Sequence, residues 1–206
     1  MLHRIHRAGA GVLGAFLTLH LFNHLLAIGS VEAHIHFMEA FRAVYRNRVV
    51  EIILLLCAAS QVASGLTFVR RRWRDRHQGL DLLQLGSGLY LAFFLLVHVG
   101  AVLAGRMQFG LDTNFYYAAA GMHVLPYRYF FMPYYFLAVL AITVHLARAL
   151  HWLARDRLGA VAMRGATALL VVSGFAAATL IVAALSGALY EVTVPAKYLA
   201  TFVLGR

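Results

Sequence analysis

Apolar residues fill this chain in long blocks, without the 3.6-residue or 2-residue alternation of a half-buried helix or strand. A helix that crosses a bilayer needs about 20 mostly apolar residues. Five blocks meet that length, at roughly 8–28, 49–69, 82–105, 129–153 and 166–189. The pattern predicts an all-α protein, a transmembrane bundle of five helices (I to V) that forms a single membrane domain over residues 1–206. Block I follows charged residues, as a secretory signal does, but His20, Asn23 and His24 lie inside it and no small-x-small cleavage site follows cleanly. It is therefore read as a retained first helix.

The connections differ in kind. II–III and IV–V are short and basic. I–II (Gly29–Arg48) and III–IV (Arg106–Arg128) are longer and carry His34, His36, Glu39, Asp112, Tyr116, Tyr117, His123 and Tyr127. Connections of about 20 residues are usually functional or contain a short helix of their own. Met38–Tyr45 has an amphipathic pattern and is expected to lie along the membrane interface.

Composition supports the membrane reading: 62% of the 206 residues are hydrophobic, well above the level of soluble domains. The formal net charge of +10 would suit a nucleic-acid binder, but its placement assigns it to topology and no nucleic-acid partner is expected. Of the 18 Lys and Arg, 11 fall on one side: Arg4, Arg7, Arg70, Arg71, Arg72, Arg74, Arg76, Arg148, Arg155, Arg157 and Arg164. By the positive-inside rule the N-terminus is cytoplasmic and the C-terminus outside, in a multi-pass protein of the cell inner membrane. The II–III stretch is denser in Arg than orientation requires, so it is also expected to dock a cytoplasmic partner. The single Cys57, in the middle of helix II, excludes a disulfide framework and a cysteine metal site.

Helices I–II and III–IV read as two copies of one hairpin. Gly14-Ala15-Phe16-Leu17-Thr18-Leu19-His20 aligns with Ala92-Phe93-Phe94-Leu95-Leu96-Val97-His98, and Gln61-x-x-x-Gly65-Leu66 aligns with His145-x-x-x-Ala149-Leu150. Ionisable side chains inside a membrane are costly and point to function. At about 1.5 Å of rise per residue, His20 and His98 share a level in the outer half, whereas Gln61 and His145 share one in the inner half. Two neutral imidazoles at one level on different helices are what a bis-histidine haem requires. Gly11, Gly14, Gly86 and Gly88 would let helix backbones approach such a ring. His24, one turn beyond His20, is an alternative outer ligand. At the inner level Gln61 is a poor ligand, so one haem is expected rather than two, and Arg148 lies one turn from His145.

These residues resemble a family, the five-helix cytochrome b anchor of succinate:quinone oxidoreductases and quinol:fumarate reductases. The matching pieces run through helices I–IV: Gly14-x-Phe16-Leu17-x-x-His20-Leu21, His36-Phe37-Met38 leading to Glu51, Leu83-Gln84-x-x-x-Gly88 with His98, Asn114-Phe115, and His145. The resemblance implies a membrane subunit of an oxidoreductase complex that does not itself act on succinate. It implies b haem held by His20 and His98, with an inner haem on His145 and the position occupied here by Gln61. It further implies a menaquinone-like quinone, a flavoprotein subunit carrying FAD and an iron–sulfur subunit on the cytoplasmic face, and a whole complex able to form homo-oligomers. Quinone contacts are expected from Ser60, Gln61, Ser64 and Arg148, with His24, His36, Glu39 and Arg42 as the outer alternative. Two other readings stand beside this one: a haem-free anchor of the same kind of complex, and a small transporter. The transporter is disfavoured because no acidic residue lies well inside any helix.

Overall fold

The structure is a computed structural model, and it describes residues 1–72, 79–154 and 157–202. Arg74, Arg76 and Arg155 of the charge pattern lie outside the described residues. All regular structure among the described residues is helical, and five helices are long and apolar enough to cross a membrane. The predicted helices I to V are α1 (Leu2–Leu26), α3 (Arg48–Arg72), α4 (Gly79–Met107), α6 (Arg128–Ala154) and α7 (Ala160–Leu185). Three short helices lie in the connections and tail: α2 (Val31–Tyr45), α5 (Phe115–Ala120) and α8 (Ala196–Leu199).

The helix ends depart from the apolar blocks for local reasons. Helix α1 starts at Leu2, six residues before its block, because Arg4, His6 and Arg7 are compatible with helix even though they are polar. Helix α7 starts and stops earlier than its block. Gly187, at φ 76°, takes the left-handed conformation just beyond the C-cap Ser186 and ends the helix. The amphipathic stretch in the first long connection is part of α2, which starts at Val31 because the Ser30 hydroxyl accepts from the Ala33 amide at 3.1 Å. Asn114 caps α5 in the same way, accepting from the Tyr116 amide at 3.0 Å.

The five long helices form a ring: α1 packs on α3, α3 on α4, α4 on α6, α6 on α7, and α7 closes back on α1. The tightest seam is α6–α7, where Gly174 sits directly against Thr143. An aromatic zipper joins α4 to α6, with Phe94 against Tyr134 at 4.7 Å and the Tyr90 hydroxyl donating to the Tyr134 carbonyl at 2.8 Å. Helix α1 makes no close backbone contact with α4 or α6 among the described residues, so whatever joins them across the middle is made by side chains. The most completely buried apolar residues gather at the end of the bundle that carries the two long connections, the loop end. There Phe115, Met122, Leu185 and Tyr198 are fully enclosed. The opposite end, where α1 begins and α3 finishes in Arg70–Arg72, is the basic end.

Candidate functional site

Across the α1–α4 diagonal of the ring, where the backbones make no close contact among the described residues, two histidines meet. His20 on α1 faces His98 on α4 with ring centres 6.1 Å apart and planes at 67°. Two imidazoles that bind one metal from opposite sides, through metal–nitrogen bonds of about 2 Å, place their ring centres about 6 Å apart. Each histidine is oriented by the same local device. Phe16 stacks on His20 one turn away (5.4 Å, 18°), and Phe94 stacks on His98 (5.0 Å, 13°). The two Phe-x-x-x-His pairs occupy matching positions of the hairpin repeat, so the repeat carries a geometric unit as well as a residue type. A helical i, i+4 pair meets on one face, and the flat stack limits rotation of each imidazole. The spacing of the pair is therefore compatible with two imidazoles that share one metal.

From this pair the histidines continue towards the loop end. His24 is 4.8 Å from His20, and His34 on α2 is 5.2 Å from His24. His98 has its close ring contact with His20, which places His24 beside the pair rather than within it. His34 is almost fully buried, at 2% exposure, under Phe115 of α5. The Asn23 amide donates to His34 Nε2 at 3.1 Å. Burial pushes the His34 imidazole down to about 4, with the nearby His20 as the smaller cause. Asn23 Oδ1, His24 Nδ1 and His34 Nδ1 are buried without a hydrogen-bond partner among the described residues. Above this layer Arg42 pairs with Asp112 at 2.8 Å, tying α2 to the second long connection. Burial opposes the Arg42 charge, but its bonds to Tyr45 and Asp112 outweigh that and hold it above its ordinary value. His36 and Glu39 are exposed on the outer face of α2. A second ion pair, Glu51 with Arg106, joins α3 to α4 at the same end.

The basic half is arranged differently from the expectation. Gln61 does not point at His145 as a partner would. Its amide donates to the His6 carbonyl at 2.7 Å, clamping α3 to α1 where Gly9 allows close approach. Ser64 is also engaged, donating to the Ser60 carbonyl and holding His6 Nδ1 at 2.7 Å. Ser60 donates to the Cys57 carbonyl at 2.9 Å. Of the four residues expected to contact quinone, only Arg148 is buried with a donor, its Nε, lacking a partner among the described residues. His145 on α6 packs against α4: a Cβ on Gly88 would lie 3.3 Å from its Cε1, and Ser87 Oγ is 3.2 Å from its Nδ1. Sequence reasoning did not single out His6, which meets Ser64 here, because it precedes the apolar block. Its signal was the 14-residue interval to His20, close to four helical turns, which returns both to nearly one face. Gly11, Gly14 and Gly86 face open space, so only Gly88 of the four glycines touches a histidine.

No protein-family model, no curated protein and no solved structure matches this chain.

Proposed function

We propose that this chain is the haem-bearing membrane anchor of a succinate dehydrogenase or fumarate reductase complex. In that role it passes electrons between an iron–sulfur partner at the basic end and quinone in the membrane. The observation that carries the reading is the His20–His98 pair, two stacked and oriented imidazoles facing each other across the open diagonal of a membrane bundle. A b haem held there supplies one-electron redox chemistry. The chain's own part is to present two neutral nitrogens from α1 and α4, to fix their rings with Phe16 and Phe94, and to close the site from the loop end with α2 and α5. The orientation follows from charge. The basic end, with Arg4, Arg7 and Arg70–Arg72, lies in the cytoplasm, where it retains the chain and docks the flavoprotein and iron–sulfur subunits. Quinone exchanges within the bilayer, and the unpaired Arg148 donor is the candidate hydrogen-bond partner for it on the cytoplasmic side.

The test is a pyridine haemochrome assay with a reduced-minus-oxidised spectrum on purified protein, wild type beside His98→Ala. The expected result is b haem in the wild type and loss of one haem per chain in the variant. Wild-type protein with no haem would overturn the reading in favour of a haem-free anchor.

A further inference from the structure

We propose that the groove between α3 and α4 at the loop end binds one anionic phospholipid, its phosphate held by Arg46 and Arg48 and its chains laid against the apolar walls below. The site uses no residue of the histidine layer and does not depend on the haem reading.

The groove has a volume of about 260 Å³. Ile52 and Leu55 of α3 and Leu103 and Met107 of α4 form its walls, while Arg48, Glu51 and Arg106 form its rim. Ile52 is 56% exposed and Met107 80%, so the groove opens on the outer surface of the ring, the surface that faces lipid. Arg48 is the first residue of α3 and Arg106 the last but one of α4. The rim therefore lies where two spanning helices end, at the level of lipid headgroups. Pockets that enclose a whole small molecule usually start at about 300 Å³. A smaller groove, open along one side, suits a ligand gripped at its head and upper chains while the rest stays in the bilayer. No aromatic side chain lines it among the described residues, so a flat quinone ring would find no stacking partner there.

Charge selects the headgroup. Arg106 is neutralised by Glu51, with Nη2 donating to Oε2 at 3.5 Å. The ion pairs among the described residues are this one and Arg42 with Asp112, so neither Arg46 nor Arg48 has a carboxylate partner there. Arg46 donates instead to the neutral Thr113 hydroxyl at 3.1 Å. Burial, and then the neighbouring Arg42 and Arg106, hold Arg46 below its ordinary value, as expected of a cation that lacks a counterion. Arg48 is exposed at the mouth of the groove, and the amino end of α3 adds its positive partial charge beside it. Guanidinium groups pair with phosphate through parallel hydrogen bonds. An anionic headgroup answers this excess of positive charge, whereas a zwitterionic one would bring its own cation into it. The apolar walls distinguish a lipid from free phosphate.

The experiment is native mass spectrometry of the purified full-length protein in a neutral detergent, measuring bound phosphatidylglycerol against phosphatidylcholine of the same chain length. One arginine favours an anionic lipid by about fivefold, so two without partners give about a 25-fold preference for phosphatidylglycerol. Arg46→Gln and Arg48→Gln should each reduce the preference to about fivefold, and the double variant should abolish it. Arg48 is exposed, so its replacement tests the site even if Arg46→Gln disturbs the connection. Arg128→Gln, at the same end but outside the groove, should leave the preference unchanged. Ile52→Trp fills the groove without altering charge and should weaken the binding of both lipids. A preference that survives in the double variant, or that falls equally in Arg128→Gln, would overturn the inference. Binding indifferent to Ile52→Trp would do the same. Displacement of the lipid by equimolar inorganic phosphate would reassign the rim to a free anion, and displacement by a short-chain naphthoquinone would reassign the groove to quinone. Either result would also overturn it.

Discussion

Acidification should destabilise this protein through His34, by an amount that follows from where the side chain sits. His34 is 2% exposed, it accepts from the Asn23 amide on Nε2, and Phe115 lies over it. A proton on Nε2 would set two donors against each other in an apolar enclosure. Burial accordingly moves the imidazole from its ordinary 6.5 to about 4. In the unfolded chain His34 takes up a proton as the pH falls through 6.5, while in the folded chain it stays neutral until about 4. Stability is therefore complete above that window, falls as pH drops through it, and levels off below it. At pH 5 the unfolded state gains one and a half pH units of protonation at about 1.4 kcal/mol each, a loss of about 2 kcal/mol. The assay is equilibrium unfolding in mixed detergent micelles at pH 7.5 and pH 5, comparing wild type with His34→Gln. Other buried histidines titrate in both proteins, so the difference between them isolates His34. The wild type should lose about 2 kcal/mol more than the variant. Equal losses in the two proteins would refute the reasoning.

Three further outcomes are expected of the helix seams and the loop end. Gly174→Val drives a side chain into Thr143 at the tightest seam of the ring and should cost about 1–3 kcal/mol, read as a lowered unfolding midpoint. Arg106→Ala removes the partner of Glu51 between α3 and α4. With both groups only about a quarter exposed, it should cost about 1–2 kcal/mol, and the loss should shrink when Glu51→Gln is combined with it. Gly187→Ala forces an alanine into φ 76° and should cost about 1–2 kcal/mol. Amide exchange at the end of α7 would report it, because the His123 ring and the Leu185 carbonyl meet there at 2.9 Å.

The five spanning helices were legible because a bilayer asks only for length and apolarity, and both are properties of a continuous run of residues. Helix ends were less so: Arg4 and His6 are polar yet helical, and block V was carried through Ser186-Gly187, the pair at which α7 stops. The His20–His98 pairing was legible because a repeat places like residues at like depth. That the repeat also holds Phe16 and Phe94 as stacking partners could be seen as residue identity but not as geometry. The same logic aligned Gln61 with His145, and it said nothing of the contacts either side chain makes. In the structure Gln61 bonds to the His6 carbonyl of α1, whereas His145 rests against Ser87 and Gly88 of α4. The role of Gln61 as a clamp on a backbone carbonyl leaves no trace in spacing at all.

The tail has a consequence of timing. Tyr198 is enclosed at 2% exposure, its ring lies 6.2 Å from Tyr116 beside α5, and the Tyr190 hydroxyl donates to the Ala27 carbonyl. Phe202 rests against Tyr127 and Phe131 at the start of α6. These residues follow the five described spanning helices in the chain, so they leave the ribosome after those helices have been made. The cover over Phe115, and so over the histidine layer beneath it, is thus set after those five helices. Until it docks, Phe115 lacks that cover, so the order of translation also sets the order in which the loop end is closed.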